Sequence, residues 1–401
     1  MNVGLYIEHG SGNGVGGAEL LVAYLASEWS QAHQVDFIHH RPPLTREKFE
    51  QFSDDDLSRV RFRYVPREAE PEPDVNPWRR FRQARRWHAA VSEGYDVFVN
   101  CTHWLPCFSH AKAATLLVLF PWYQRPPDLP DIRRLPAWKR WRHRAYFDTE
   151  WARRVATYDH CLSISQFSAE WTRRRWRVAT KIAYPPVDLR CANRSKEPLI
   201  LSVGRFSLGA HTKKHLELMA AFQALKPRLP PDWQYASVGG LNARAENHEY
   251  FERVRRLGAD CGGCVDANLS RSDLRGLFAR GRVYWHATGL GDPTEARPEL
   301  CEHFGMSTVE AMAAGCVPVV INNGGQPEIV EHGRSGFVWN TVAELQDYTL
   351  LLAKDSSLWT EMSGAARARA QLFRRERFLE QMSHVCGVDR PKPPAYFDTT
   401  V

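Results

Sequence analysis

Two glutamates eight positions apart, Glu302 and Glu310, bracket the segment Phe304-Gly305-Met306-Ser307. The stretch reads as a loop that turns into a short helix. Ser307 is the expected N-cap, with Glu310 three residues on at capping-box spacing. Gly315 is the expected stop, where a left-handed residue is needed, and Cys316–Ile321 reads as a buried strand. A helix start of this kind offers unpaired N–H groups and the positive end of a dipole, which suit a phosphate. A glutamate on either side would then accept from hydroxyl-rich groups flanking that phosphate. The same spacing also describes a capping glutamate and an unrelated surface glutamate. Two cations upstream add to the first reading. Arg205 follows the apolar strand Pro198–Gly204, and Lys213 precedes the helix 215–225. Two cations so placed could neutralise a diphosphate without a metal.

The elements around these residues alternate. Strands are expected at 3–7, 34–39, 61–65, 96–100, 115–120 and 158–165, with helices at 18–31 and 78–92 between them. The second half repeats the pattern, with strands at 198–204, 235–238, about 265, 283–287 and 316–321 and helices at 215–225 and 270–279. Strands alternating with helices argue parallel sheets. In such sheets ligands bind at loops after strand C-termini, so His103, after the strand 96–100, is either on a loop facing the ligand cleft or a surface histidine. Two motifs are weaker. Gly12-x-Gly14-x-x-Gly17 matches a dinucleotide fingerprint, but Glu8 and His9 separate it from its strand, and Asp36 lies inside a strand instead of at its end. Asp54-Asp55-Asp56 could be a metal-binding DxD, but no apolar strand leads into it. A solvated helix start is the expectation there.

The 401 residues suit two domains. Residues 3–7 are too short for a secretory core, and no apolar run reaches a membrane span. Nine cysteines scattered through the chain fit free thiols in a reducing compartment. Cys261-Gly-Gly-Cys264 has no second pair at zinc spacing, so a turn is expected and no metal site. The net charge of +7 is concentrated in residues 133–177, where Arg and Trp recur from Arg133, Arg134 and Trp138 to Trp176 and Arg177. Such a segment is a solvated helical face with tryptophans packed inward, a contact for an anionic membrane surface, or a nucleic-acid surface.

Taken in order, Gly16-Gly17-Ala18-Glu19, Tyr184-Pro-Pro-Val-Asp188, Val203-Gly-Arg205 with Lys213, Glu302 with Glu310, and Gly324-Gly325-Gln-Pro-Glu-Ile-Val330 with 333–336 resemble a family 4 glycosyltransferase. The wording Glu302-His-Phe-Gly is similar to the branch holding α-1,2-mannosyltransferases of lipid-linked oligosaccharide synthesis. The resemblance implies the GT-B fold, two Rossmann-like parallel-sheet domains facing a central cleft. Residues 1–190 would bind the acceptor and 191–372 the nucleotide-sugar. Residues 373–401 would be a helix and tail packing back toward the N-terminal domain.

The resemblance also implies roles. Arg205 and Lys213 hold the diphosphate and stabilise the leaving group, and Glu302 hydrogen-bonds the donor sugar. Backbone amides of Phe304, Gly305, Met306 and Ser307 touch sugar and phosphate. Glu310 accepts from the ribose, and Gly16 and Gly17 close over the phosphates. Transfer retains anomeric configuration and needs no metal or other cofactor. GDP-mannose is favoured over a UDP-sugar, and the acceptor is a saccharide or lipid-linked saccharide. The location is cytoplasmic, at the inner face of the membrane if the Arg/Trp segment touches it, with no nucleic acid expected. Two departures stand out. The histidine many members carry in the N-terminal domain aligns with Leu119, and the spacing from Arg205 to Lys213 is long. Rival readings are an epimerase-like nucleotide-sugar enzyme, an oxidoreductase using Gly12, Gly14 and Gly17, and a basic nucleic-acid binder.

Overall fold

A computed structural model describes residues 1–7, 16–39, 45–66, 77–122, 134–192, 194–209 and 212–389. Gly12 and Gly14 therefore lie outside the described residues, as do Arg133 and part of the loop 207–212. The chain divides into two compact units. One holds Met1–Ser163, Ala169–Ala183 and the chain from Leu379 on; the other holds Ile164–Ser168 and Tyr184–Phe378.

The first unit contains β1 (Asn2–Ile7), α1 (Gly17–Trp29), β2 (Gln34–His39), α2 (Arg46–Ser53), β3 (Arg61–Tyr64), α3 (Pro77–Ser92), β4 (Val97–Thr102), β5 (Ala113–Val118), α4 (Ala137–Val155), β6 (His160–Ser163), most of α5 (Gln166–Trp176) and β7 (Lys181–Ile182). Its strands form one parallel sheet in the order β3-β2-β1-β4-β5-β6-β7. The central strands β1, β2, β4 and β5 are buried along nearly their whole length, as expected where helices cover both faces of such a sheet, whereas the edge strand β3 is exposed at both ends. Tyr6, Phe98, Leu116, Val118, Trp151 and Trp176 share one of its cores. The expected helix start at Asp54 is a helix end instead. Asp54 closes α2 in the left-handed conformation, φ 57°, which a short polar side chain tolerates.

The second unit contains β8 (Leu199–Val203), α6 (His215–Leu225), β9 (Gln234–Gly239), α7 (Ala245–Cys261), β10 (Gly263–Ala267), α8 (Arg271–Arg280), β11 (Val283–His286), α9 (Met306–Ala313), β12 (Val317–Ile321), α10 (Gln326–Ile329), β13 (Phe337–Trp339), α11 (Val342–Lys354) and α12 (Ser356–Ala370). A last helix, α13 (Arg375–Cys386), begins here and ends in the first unit. The sheet runs β10-β9-β8-β11-β12-β13, all parallel. Helix α7 is absent from the expectations. Its apolar residues are sparse, with only Asn247, Tyr250, Val254 and Gly258 buried. Cys261 ends α7 and Cys264 lies in β10, on either side of left-handed Gly262. All nine cysteines are free.

In both sheets the strand order reverses beside the first strand of the unit, so neighbouring connections leave in opposite directions. The crevice this opens at the strand C-termini is where doubly wound sheets bind ligands. In the second unit that point lies between β8 and β11.

Candidate functional site

The two strands at this switch point each end on a residue that the site uses. β8 leads into Gly204 and Arg205, and β11 ends on His286. Arg205 is exposed and makes no ion pair among the described residues. Gly204 lets Lys213 cross the strand end, because a Cβ there would lie 2.4 Å from Lys213 Cγ. The adjacent lysines separate. Lys214 caps α6 at φ 56° and pairs with Asp292 at 3.0 Å. Lys213 donates to Oε2 of Glu302. His286 meets the same oxygen through Nε2 at 3.0 Å.

Burial alone would raise the Glu302 carboxyl, but Lys213 and His286 outweigh it and hold it well below the usual carboxylate range. Burial pushes the His286 imidazole down, ahead of the opposing pull of Glu302. At neutral pH the pair is thus a carboxylate and a neutral ring, and the carboxylate, an acceptor only, assigns the proton to Nε2. Oε1 of Glu302 has no protein partner among the described residues. His286 was not among the sequence expectations. The polar residue closing the apolar strand Val283-Tyr-Trp was the available signal.

The helix beyond Glu302 begins two residues earlier than its capping box implied. Gly305, not Ser307, is the N-cap of α9, and it makes no side-chain cap bond. Gly305 has φ 122°, and a Cβ there would lie 2.1 Å from Gln326 Nε2. The hydroxyl of Ser307 is instead 2.8 Å from that of buried Tyr284. The amides of Met306 and Ser307, first in the helix, have no intrahelical carbonyl to reach. The segment is held from behind: Gln326 donates to the Phe304 carbonyl at 3.2 Å, and Gly325 N to the Glu302 carbonyl at 2.8 Å. Gly315 follows the helix at φ 84°, as expected of a stop.

Glu310 does not return to the helix start. Its Oε1 accepts from Nη2 of Arg271, the first residue of α8, at 2.8 Å. Burial raises the Glu310 carboxyl and Arg271 opposes the rise. Like Glu302, it keeps one oxygen tied to a cation of another element and the other without a protein partner among the described residues. If ionised Glu310 is the acceptor, Arg271→Met raises its pKa further, so ionisation is lost at higher pH. The acid limb of kcat/KM should move upward, and donor KM should rise about tenfold, the worth of one hydrogen bond to a charged group. An unmoved limb in a folded Arg271→Met protein would remove Glu310 from donor binding.

Arg205, Lys213, Glu302, Phe304, Gly305, Met306, Ser307 and Glu310 all belong to the second unit. Gly16, Gly17 and His103 belong to the first. Gly16 precedes α1, and its amide donates to Glu19 Oε2 at 2.9 Å. His103 follows β4, half-buried, with its ring against Trp122. Leu119, beyond β5, is buried. The dinucleotide reading loses its acid. Asp36 is buried and its carboxylate is taken by Arg61, at 2.7 and 2.5 Å, and by the Tyr95 hydroxyl at 2.6 Å.

The Arg/Trp segment divides. Trp151 and Trp176 are buried and pack against each other with ring centroids 4.3 Å apart and planes tilted by 55°, and Trp171 is buried under Arg174 and Arg175. Trp138 and Trp141, in the first turns of α4, are 60% and 72% exposed. Lys139 and Arg142 lie over the Trp138 ring.

Two family models match adjoining parts of the chain. "Glycosyltransferase Family 4" matches residues 15–190 and "Glycosyl transferases group 1" matches 190–369. A GDP-Man:Man(3)GlcNAc(2)-PP-Dol alpha-1,2-mannosyltransferase of Dictyostelium discoideum is 26% identical over 50% of this chain and 40% of its own length. The human alpha-1,3/1,6-mannosyltransferase ALG2 is 26% identical over 73% of each chain. The match thus spans under half of the first relative and about three-quarters of the second. Among solved structures, a glycosyltransferase from Rickettsia africae superposes with a TM-score of 0.68 at 15% identity, covering 96% of this chain and 97% of that one. The fold is GT-B.

Proposed function

We propose that this chain, which belongs to the family 4 glycosyltransferases, transfers mannose from GDP-mannose to a lipid-linked saccharide with retention of configuration and without a metal. The observation that carries the reading is the pair Glu302 and Glu310, each with one oxygen anchored by a cation and one left to accept, on either side of the unsatisfied amides of α9. A sugar–diphosphate–ribose needs acceptors for hydroxyls at both ends and donors for the phosphates in between. The mannosyltransferase relatives support mannose, GDP and the lipid-linked acceptor.

In this reading Met306 and Ser307 N–H groups and Lys213 take the diphosphate, with Arg205 completing the positive charge. Glu302 Oε1 accepts from a hydroxyl of the sugar and Glu310 from the ribose. The C1–O bond to phosphate breaks, and the diphosphate leaves with the electron pair. The fixed positive charge of Lys213, Arg205 and the helix start stabilises it as it forms, the role a metal ion fills elsewhere. The acceptor hydroxyl attacks from the same face, and its proton passes to the departing phosphate oxygen. This route needs no protein base.

The test is transfer from radiolabelled GDP-mannose to a dolichyl- or polyprenyl-diphosphate oligosaccharide, with and without EDTA. Product of unchanged yield in EDTA is expected. Abolition by EDTA would overturn the metal-free route, and conversion of free donor without transfer would favour an epimerase. A second base remains a specific alternative, so UDP-glucose runs beside GDP-mannose in the same assay and in a thermal-shift screen, where the bound nucleotide raises the midpoint by mass action.

No helix among the described residues is long and apolar enough to cross a membrane. A lipid-linked acceptor then requires a surface contact, and the start of α4 suits one. Residues 134–147 carry five basic and no acidic residues, and Trp138 and Trp141 project outward among them. Exposed indoles and cations together suit the interface of an anionic membrane. The enzyme would work at the cytoplasmic face, where nine free thiols also fit a reducing compartment. Sedimentation with vesicles containing phosphatidylserine should fall at least about fivefold in Trp138→Ala/Trp141→Ala, the equivalent of roughly 1 kcal/mol of interfacial burial. Equal sedimentation of variant and wild type would move the contact elsewhere.

A further inference from the structure

The cation assigned to the diphosphate is already engaged. Lys213 donates to Oε2 of Glu302, a carboxylate whose side chain is only 16% exposed. A lysine cannot leave a buried carboxylate without cost, because an ionised group stripped of its partner in a low-dielectric site is strongly destabilised. Drawing Lys213 toward a phosphate would therefore weaken donor binding by whatever the orphaned carboxylate costs. The structure holds a second donor on the same oxygen. His286 Nε2 lies 3.0 Å from Oε2, and the ring is itself buried at the end of β11. Its other nitrogen, Nδ1, has no hydrogen-bond partner among the described residues. Among the described residues, the ring's hydrogen bond is to Glu302.

We propose that His286 is a positioning residue that keeps Glu302 Oε2 hydrogen-bonded while Lys213 shifts from the carboxylate to the diphosphate of the incoming nucleotide. The inference rests on the nucleotide-sugar reading of this site. It explains why one oxygen collects both donors while the other has none among the described residues. Oε2 is the permanent anchor, shared by two groups so that one is able to leave. Oε1 stays fixed in direction and available to a ligand hydroxyl throughout. A neutral ring suits the task. As an imidazolium, it would add a third charge to the cluster and hold the carboxylate against release as firmly as the lysine does. Backbone carbonyls are acceptors and cannot replace it, and a second lysine would compete with Lys213 for the phosphate.

The test is the affinity of the full chain for GDP, and in parallel for UDP, by calorimetry, since the nucleotide draws on Lys213 without requiring the sugar contact of Glu302. His286→Leu should bind the nucleotide about 10- to 100-fold more weakly, the effect of losing a hydrogen bond to a charged group. His286→Asn, which keeps a donor, should recover most of that loss. Glu302→Gln removes the charge that would be orphaned, so it should bind GDP as tightly as wild type or more tightly. The double variant Glu302→Gln/His286→Leu should match Glu302→Gln. A merely structural histidine gives a different pattern, because loss of packing would carry through to the double variant. Wild-type affinity in a folded His286→Leu protein overturns the inference, as does a double variant as weak as His286→Leu alone. If the wild type binds neither nucleotide, the nucleotide-sugar reading itself falls.

Discussion

Glu302→Gln leaves a folded protein whose rate of sugar transfer falls at least about a thousandfold, some 4 kcal/mol of transition-state stabilisation. The substitution keeps the size of the side chain, so Phe304 and the start of α9 stay in place behind it, held by Gln326 and Gly325. What is lost is the charge. In the wild type the carboxylate is kept ionised against its burial by Lys213 and His286, with Oε1 left without a protein partner among the described residues. Positive character grows on the sugar as the bond to phosphate breaks. A fixed negative oxygen beside it contributes most at that moment, because it is already oriented and needs no reorganisation. The loss should therefore sit in kcat, with nucleotide affinity unharmed. Single-turnover transfer together with calorimetry separates the two. Near-normal transfer by well-folded Glu302→Gln would sink the assignment of the site.

Lys213→Ala should be about equally severe for transfer, but with a different signature. It should lower kcat about a thousandfold by removing charge stabilisation from the leaving diphosphate, and it should also weaken GDP binding about tenfold or more. The nearby Lys214 cannot take over, because its ammonium is committed to Asp292 at 3.0 Å. The variant also leaves Glu302 with His286 as its remaining partner. That removes a charge that helps depress the imidazole, so the ring should take up a proton at higher pH than in the wild type. An NMR titration of His286 in the two proteins measures the rise. Wild-type GDP affinity in Lys213→Ala would mean that the lysine serves Glu302 alone and never reaches the phosphates.

Much of this was legible in the residues. Alternating apolar runs and helical periods give parallel sheets, because a strand covered on both faces has no polar side to show. The helix 215–225 and the left-handed stop at Gly315 follow from local periodicity and from glycine's freedom at positive φ. Helix α7 was not legible, since so little of it is buried that no apolar stripe marks it. The Arg/Trp segment could not be divided from composition. Which tryptophans pack inward depends on what lies beneath them, and only the fold sets Trp151 against Trp176 while leaving Trp138 and Trp141 outside.

The same division runs through the site. The sequence by itself determined the chemistry available there: two carboxylates, two cations and a glycine-flanked helix start in a chain of alternating elements. It could not say which oxygen pairs with which nitrogen. A capping box is a local rule, and it put Ser307 at the cap and pointed Glu310 back along its own helix. Tertiary structure overrode it, because Tyr284 from β11 claims the serine hydroxyl and Arg271 from α8 claims the glutamate. Lys213, His286 and Glu302 are separated by 73 and 16 residues along the chain, as their numbers give, and no pattern links them. They meet because β8 and β11 are neighbours in the sheet, and the sheet's order is a property of the whole unit. A buried charge needs its partners close by in space, and only the folded chain supplies them.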